Sequence, residues 1–179
     1  NYSVTVVKGN FTIKTATSDA VLSAEGGEWV YDGTAHAARA TVSDETFTIY
    51  CKVGDGEWTT TAPSVTNVSD GPVTVSVKAT KDGYNDLTCD DVTLKITPKP
   101  ATITVASAEK SFGVPDPKFT GMVEGLVKDG DLGEISYSRT NTDEAVGTYE
   151  KVLDATYTEN KNYSVTVVKG NFTIKTATS

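Results

Sequence analysis

The sequence predicts an all-β chain, mostly antiparallel, built as two small domains in tandem, and three observations predict it. The first is composition: 29 Thr and 22 Val stand against 1 Met and 1 His in 179 residues. Residues branched at Cβ are stiff at χ1 and fit a pleated surface better than a helix. The second is alternation of apolar and polar residues with period two, which gives one strand face to a core and the other to water. The third is turn chemistry, with Asp32-Gly33, Asp70-Gly71, Asp82-Gly83 and Asp129-Gly130 recurring between the alternating runs.

The same figures exclude several function classes. A chain of 179 residues is one or two domains, long enough to bury a core. Its apolar runs fall well short of the roughly 18 residues a membrane-spanning helix needs, so no membrane insertion is expected. A net charge of −8 argues against nucleic acid and anionic membranes as partners, since phosphates must be met by clustered Lys and Arg.

The chain is framed by a repeat. Residues 1–18, Asn1 through Ser18, recur letter for letter as Asn162 through Ser179, an offset of 161 residues. Such self-similarity marks a tandem array whose unit is one or two whole domains, or a chain in which one segment has been deliberately duplicated. Each copy reads as a hairpin: Tyr163, Val165 and Val167 on one face, Gly170-Asn171 as the turn, then Phe172 and Ile174. The leading copy, with Tyr2, Val4, Val6, Phe11 and Ile13 in the same places, lacks the rest of its domain and is read as the terminal hairpin of a preceding repeat. Because an isolated hairpin is marginal in water, these five residues are candidates for strand exchange.

Further along, Phe47, Ile49, Cys51 and Val53 alternate with Thr48, Tyr50 and Lys52, and the run meets Gly54-Asp55-Gly56 before Trp58. That pattern predicts a meander. Val73, Val75, Val77 and Ala79 alternate in the same way. Leu87 and Cys89 have opposite parity to Val92, Leu94 and Ile96, so a bulge or strand break at Asp90-Asp91 is required if both sets face inward. Thr97-Pro98-Lys99-Pro100 reads as a linker, because two prolines remove backbone donors. It divides a domain of residues 19–97, with 13 acids and 5 bases, from one of residues 98–179, with 11 and 9. The first therefore holds nearly all the acidity.

Residues 101–176 carry Phe112-Gly113, Asp116-Pro117, Gly125-Leu126, Gly130-Asp131, Val146-Gly147-Thr148-Tyr149, Asn162-Tyr163 and Phe172-Thr173-Ile174. With these letters the segment resembles the MBG domain family of bacterial surface proteins in its Tyr-Gly variant, Phe112 standing where Tyr is usual. The resemblance implies a β-grasp-like module of long secreted or wall-attached proteins, and it brings no catalytic residues. Residues 19–97, through Tyr31-Asp32-Gly33-Thr34-Ala35-His36 and Thr80-Lys81-Asp82-Gly83-Tyr84, resemble the Ig-like repeats that accompany such modules, which implies a β-sandwich.

Candidate chemistry is sparse. A Ser or Cys nucleophile needs a base, and His36 is the single histidine, so no catalytic residue is assigned and no enzyme is expected. Paired carboxylates such as Asp90-Asp91 and Asp143-Glu144 read as solvated turns. Asp129, Asp131 and Glu134 supply three carboxylates in one loop and are a weak Ca²⁺ candidate, without the spacing of a known Ca²⁺ loop; no other cofactor is implied. Cys51 and Cys89 are a disulfide candidate, with two buried free thiols as the alternative. Trp29 and Trp58 are ligand-binding candidates for a glycan or host protein, set against ordinary packing.

These readings converge on a structural repeat module of an extracellular, cell-surface or cell-wall protein, whose partners are neighbouring repeats. The alternatives are an adhesin module, and a subunit that self-assembles by exchanging residues 1–18.

Overall fold

The computed structural model describes residues 1–178. Among these, sixteen strands and one short 3₁₀ turn form in chain order. They are β1 (Leu22–Glu25), β2 (Gly27–Val30), β3 (His36–Ala37), β4 (Arg39–Val42), β5 (Thr48–Val53), β6 (Ser64–Val65), the turn Val68–Asp70, β7 (Val73–Thr80), β8 (Leu87–Thr88) and β9 (Val92–Thr97). There follow β10 (Lys99–Val105), β11 (Ala108–Ser111), β12 (Gly121–Glu124), β13 (Ser136–Arg139), β14 (Gly147–Thr156), β15 (Tyr163–Val168) and β16 (Gly170–Lys175). The protein is all-β and mostly antiparallel.

Two compact units result, one of residues 1–27, 37–63 and 73–93, the other of residues 28–36, 64–72 and 94–178. In the first unit β5 and β7 pair antiparallel with Cys51 opposite Val77 and Val53 opposite Val75. β8 adds to β7, and β1 pairs with β4. Phe47, Cys51, Val75, Val77 and Ala79 are buried, so the parity read from these runs is the parity that folds. After β5 the chain turns at Gly54-Asp55-Gly56 and returns to bond Thr59 to Cys51 in both directions at 2.8 Å. The ladder also breaks between β8 and β9, where Cys89-Asp90-Asp91 is unpaired, and Leu94 and Ile96 beyond it are buried.

The second unit holds two sheets, β12-β10-β15 and β11-β16-β14-β13. β15 runs parallel to β10, from Lys99 opposite Tyr163 to Thr104 opposite Val168. β16 lies between β11, to which it is parallel, and β14, to which it is antiparallel. The core contains Ile103, Leu132, Leu153, Phe172 and Ile174, all essentially sealed from water. Burying each such side chain stabilises the fold by about 1.5–3 kcal/mol.

Two expectations need correction here. Residues 162–178 do not form a hairpin: β15 and β16 belong to different sheets and do not pair with each other. At Gly170 the chain passes from one sheet to the other, and a Cβ there would stand 2.8 Å from the Val105 carbonyl oxygen and 2.9 Å from that of Ala106. Glycine is needed for this close approach, not for a two-residue turn. Residues 1–15 form no strand either, and the leading copy is tied only near its end, where Ala16 bridges Tyr84 and bonds Gly83 and Asn85 at 2.8 Å each.

Candidate functional site

The closing strands β15 and β16 are held by a set of polar and aromatic contacts at both ends of the second unit. At the start of β15, Asn162 accepts from Lys99 N through its carbonyl at 2.9 Å. Its side chain accepts from Val68 N at 2.8 Å and donates to Asn67 Oδ1 at 3.0 Å. Beside it the Tyr163 ring is buried, edge-on to Tyr31 with centroids 5.5 Å apart. The Tyr163 hydroxyl accepts from Val127 N at 2.9 Å and donates to Asp131 Oδ2. Burial, with the hydrogen bond to Asp131 second, pushes this phenol up to about 12, so it stays a donor over the whole physiological range.

In β16 the Phe172 ring is fully buried, edge-on to Phe119 at 5.6 Å, and the Arg139 guanidinium carbon stands 4.9 Å from its centroid. Arg139 and Lys110, whose ammonium is 6.0 Å from the same centroid, share two acids. Lys110 Nζ meets Asp116 Oδ1 and Glu144 Oε2 at 2.8 Å each. Arg139 meets Asp116 Oδ2 at 3.1 Å and Glu144 Oε1 at 3.2 Å. Hydrogen bonds from Lys110 are the main reason both carboxyls lie below their usual range, and those same bonds raise the Lys110 ammonium. With both acids ionised and the amine protonated, the cluster is an ion-pair cage around a phenylalanine and has no free base or nucleophile. A cavity of about 570 Å³ opens beside it, lined by Lys110, Phe112, Val114, Asp116 and Glu144 among others.

The antiparallel neighbour of β16, β14, is irregular where the two pair. β14 shifts register between Tyr149 and Leu153, and Lys151 in the bulge takes φ 55°. Its N–H is satisfied at 2.9 Å by Oδ1 of Asn171. On the other side, Ser107 Oγ accepts from Asn171 N at 2.9 Å.

Each of these gripped residues has an identical twin in the leading copy, and the twins are in water. Tyr2 is 98% exposed where Tyr163 is 6%, Phe11 is 91% where Phe172 is 0%, and Ile13 is 85% where Ile174 is 1%. Val4 and Val6 are exposed as well.

Residues 101–173, which contain most of β10, all of β11–β15 and most of β16, match the sequence model of the MBG domain family, YGX type. That segment is an MBG domain. Neither a curated protein nor a solved structure matches the chain. The MBG family occurs in bacterial surface proteins, which makes this a surface-type module. In the MBG domain Phe112 occupies the Tyr position of the Tyr-Gly pair with its ring half in water, and Gly113 takes φ 82°, a left-handed conformation that favours glycine.

The other sequence-predicted residues are distributed as follows. Of the two readings of the cysteine pair, the structure has the free thiols, Cys51 buried and Cys89 half-buried. Cys51 is committed to the inner face of β5, whereas Cys89 sits in the unpaired break, outside any ladder that could set its direction. Burial raises both thiols above their ordinary value, helped at Cys51 by Cys89 and at Cys89 by Asp90 and Asp91. Among the described residues no three His, Cys, Asp or Glu side chains converge as a metal-ion ligand set, those of Asp129, Asp131 and Glu134 included. Asp131 instead holds Tyr163.

Trp29 and Trp58 are half-buried, and each has an internal partner. Trp29 stacks on His36 at 4.7 Å, and Trp58 lies under the ammonium groups of Lys78 and Lys52 at 4.4 and 5.0 Å. His36 in turn meets Asp32 Oδ2 at 2.9 Å, while Thr34 donates to Asp32 Oδ1 through its hydroxyl at 2.7 Å and its N–H at 2.9 Å. The bonds from Thr34 come first in lowering Asp32 to about 2. Asp32-Gly33-Thr34 is thus a side-chain-capped turn.

The ion-pair cage is what sequence reading missed. Its signal was Lys110 itself, on the inward parity of β11 with Ala108, where an unpaired charge would be costly and therefore implies acids nearby.

Proposed function

We propose that the chain is a structural, non-enzymatic module of a bacterial cell-surface or extracellular fibre protein, in which the domains of residues 19–97 and 98–179 serve together as one spacer of a tandem array. The observation that carries the reading is the offset of 161 residues between two identical segments, the second of which completes the core of the MBG domain. A segment needed to close each domain recurs at the period of the array. Two further observations support it. The aromatic side chains that would serve a binding face are each engaged by a neighbour in their own unit, and the titratable cluster of the MBG domain is fully paired. No helix of the described residues is long and apolar enough to cross a membrane.

Small-angle X-ray scattering tests the spacer. In a chain lengthened by one more 161-residue unit, the maximum dimension is expected to grow by the length of that unit. An unchanged dimension would sink the spacer reading. Saturable binding to a glycan array, lost on Trp58→Ala, would replace it with the adhesin.

A further inference from the structure

The chain contains two copies of the closing strands and one MBG domain that takes them. β16 lies inside its sheet with β11 on one side and β14 on the other, so without residues 170–175 those two strands have no common partner. Without β15, β10 keeps only β12. The domain therefore has a slot with defined features: an aromatic position for Tyr163 beside Tyr31 and Asp131, a caged position for Phe172, an apolar one for Ile174 and a backbone contact that only glycine clears at Gly170. Tyr2, Phe11, Ile13 and Gly9 present the same groups at the same spacing, with nothing within 4 Å of a Cβ at Gly9.

We infer that residues 1–18 are a donor segment, which docks into the MBG domain of a second copy of this chain whenever that domain's own closing strands are displaced. The inference goes beyond the spacer reading, in which residues 1–18 close the preceding domain of the array: it concerns that segment when no preceding domain holds it. The occupant is chosen by identity: every hydrogen bond, ring contact and steric requirement that Asn162 to Lys175 satisfy is satisfied equally by Asn1 to Lys14. The exposed apolar side chains of residues 1–15 supply the driving force, because on docking Tyr2, Phe11 and Ile13 take buried places and Val4 and Val6 half-buried ones. In the unaltered chain the attached copy has the higher effective concentration and keeps the slot, so the donor waits.

The test uses the full chain in two variants. In the first, Phe172→Asp with Ile174→Asp disables the attached copy and leaves residues 1–18 intact. In the second, Phe11→Asp and Ile13→Asp are added. Hydrogen exchange in β11 and β14 reports whether the domain is closed, and light scattering over a concentration series reports how many chains are involved. The expected result is a first variant with protected β11 and β14 and a mass of two chains or more, a second variant that is unprotected and monomeric, and recovery of protection in the second on adding a synthetic peptide of residues 1–18. The inference is overturned if both variants are unprotected, since the donor then does not dock. It is overturned equally if both are protected, since the domain then needs no donor, or if the first is protected as a monomer, since the docking is then within one chain.

Discussion

Residues 1–17 and residues 162–178 are the same letters in two states. In the second copy Tyr, Phe and Ile are sealed into a core and ten backbone positions or more run as strand; in the first the same side chains stand in water and residues 1–15 form no strand. Local propensity is identical, so it contributes nothing to the difference. What differs is the presence of β10, β11 and β14 as neighbours, which satisfy the backbone groups and cover the apolar face. A strand is thus a property of the pair of chains that form the ladder, and β propensity expresses only fitness for a place that other residues create.

The comparison breaks most sharply at the phenylalanines. Phe172→Ala removes a fully buried ring and is expected to destabilise the MBG domain by about 3–5 kcal/mol, while Phe11→Ala stays within about 0.5 kcal/mol of zero. Urea titration of the two variants checks both, and equal effects would mean that the leading copy is packed in solution. A smaller contrast is expected at the glycines. Gly170→Ala drives a methyl against two carbonyl oxygens and should cost about 1–3 kcal/mol, whereas Gly9→Ala meets nothing and should be neutral.

The smallest effect concerns acid. Asp116 and Glu144 are held below the usual carboxylate range, so their contribution to stability is present above about pH 4 and is lost as pH falls through their folded values. Lys110, raised, contributes below about pH 10 and loses its contribution as pH rises through its own folded value. Lys110→Met is therefore expected to flatten the fall in melting temperature between pH 5 and pH 2, as read by circular dichroism. Asp32, held at about 2, acts with the same sign in both proteins and cancels in the comparison. An unchanged acid slope would show that Arg139 alone sets the two carboxyls.

How much was legible follows from the range of each interaction. β5 and β7 could be read because alternation is a local property, and the break after β8 followed from a parity conflict within ten residues. The corner at Gly170 was misread as a hairpin turn because Lys169-Gly170-Asn171 has turn chemistry, and nothing nearby in sequence tells that β11 and β14, more than ten residues upstream, flank β16. The cage around Phe172 was hidden for the same reason: Lys110 with Asp116 and Arg139 with Glu144 come from two stretches of the chain, and only the fold brings each cation within 3.2 Å of both acids. The cysteine pair was open to two readings, and the free thiols show that the inward parity of Cys51 said nothing about a partner in an unpaired loop.

By itself the sequence determined the all-β class, the strand faces that alternation marks, and the existence of a duplicated segment, because composition, period two and identity are written residue by residue. The tertiary structure decided which copy becomes strand, where the chain changes sheet and which charges meet. Those outcomes depend on contacts between residues far apart in the chain, where one partner strand and one core position are open to two identical candidates.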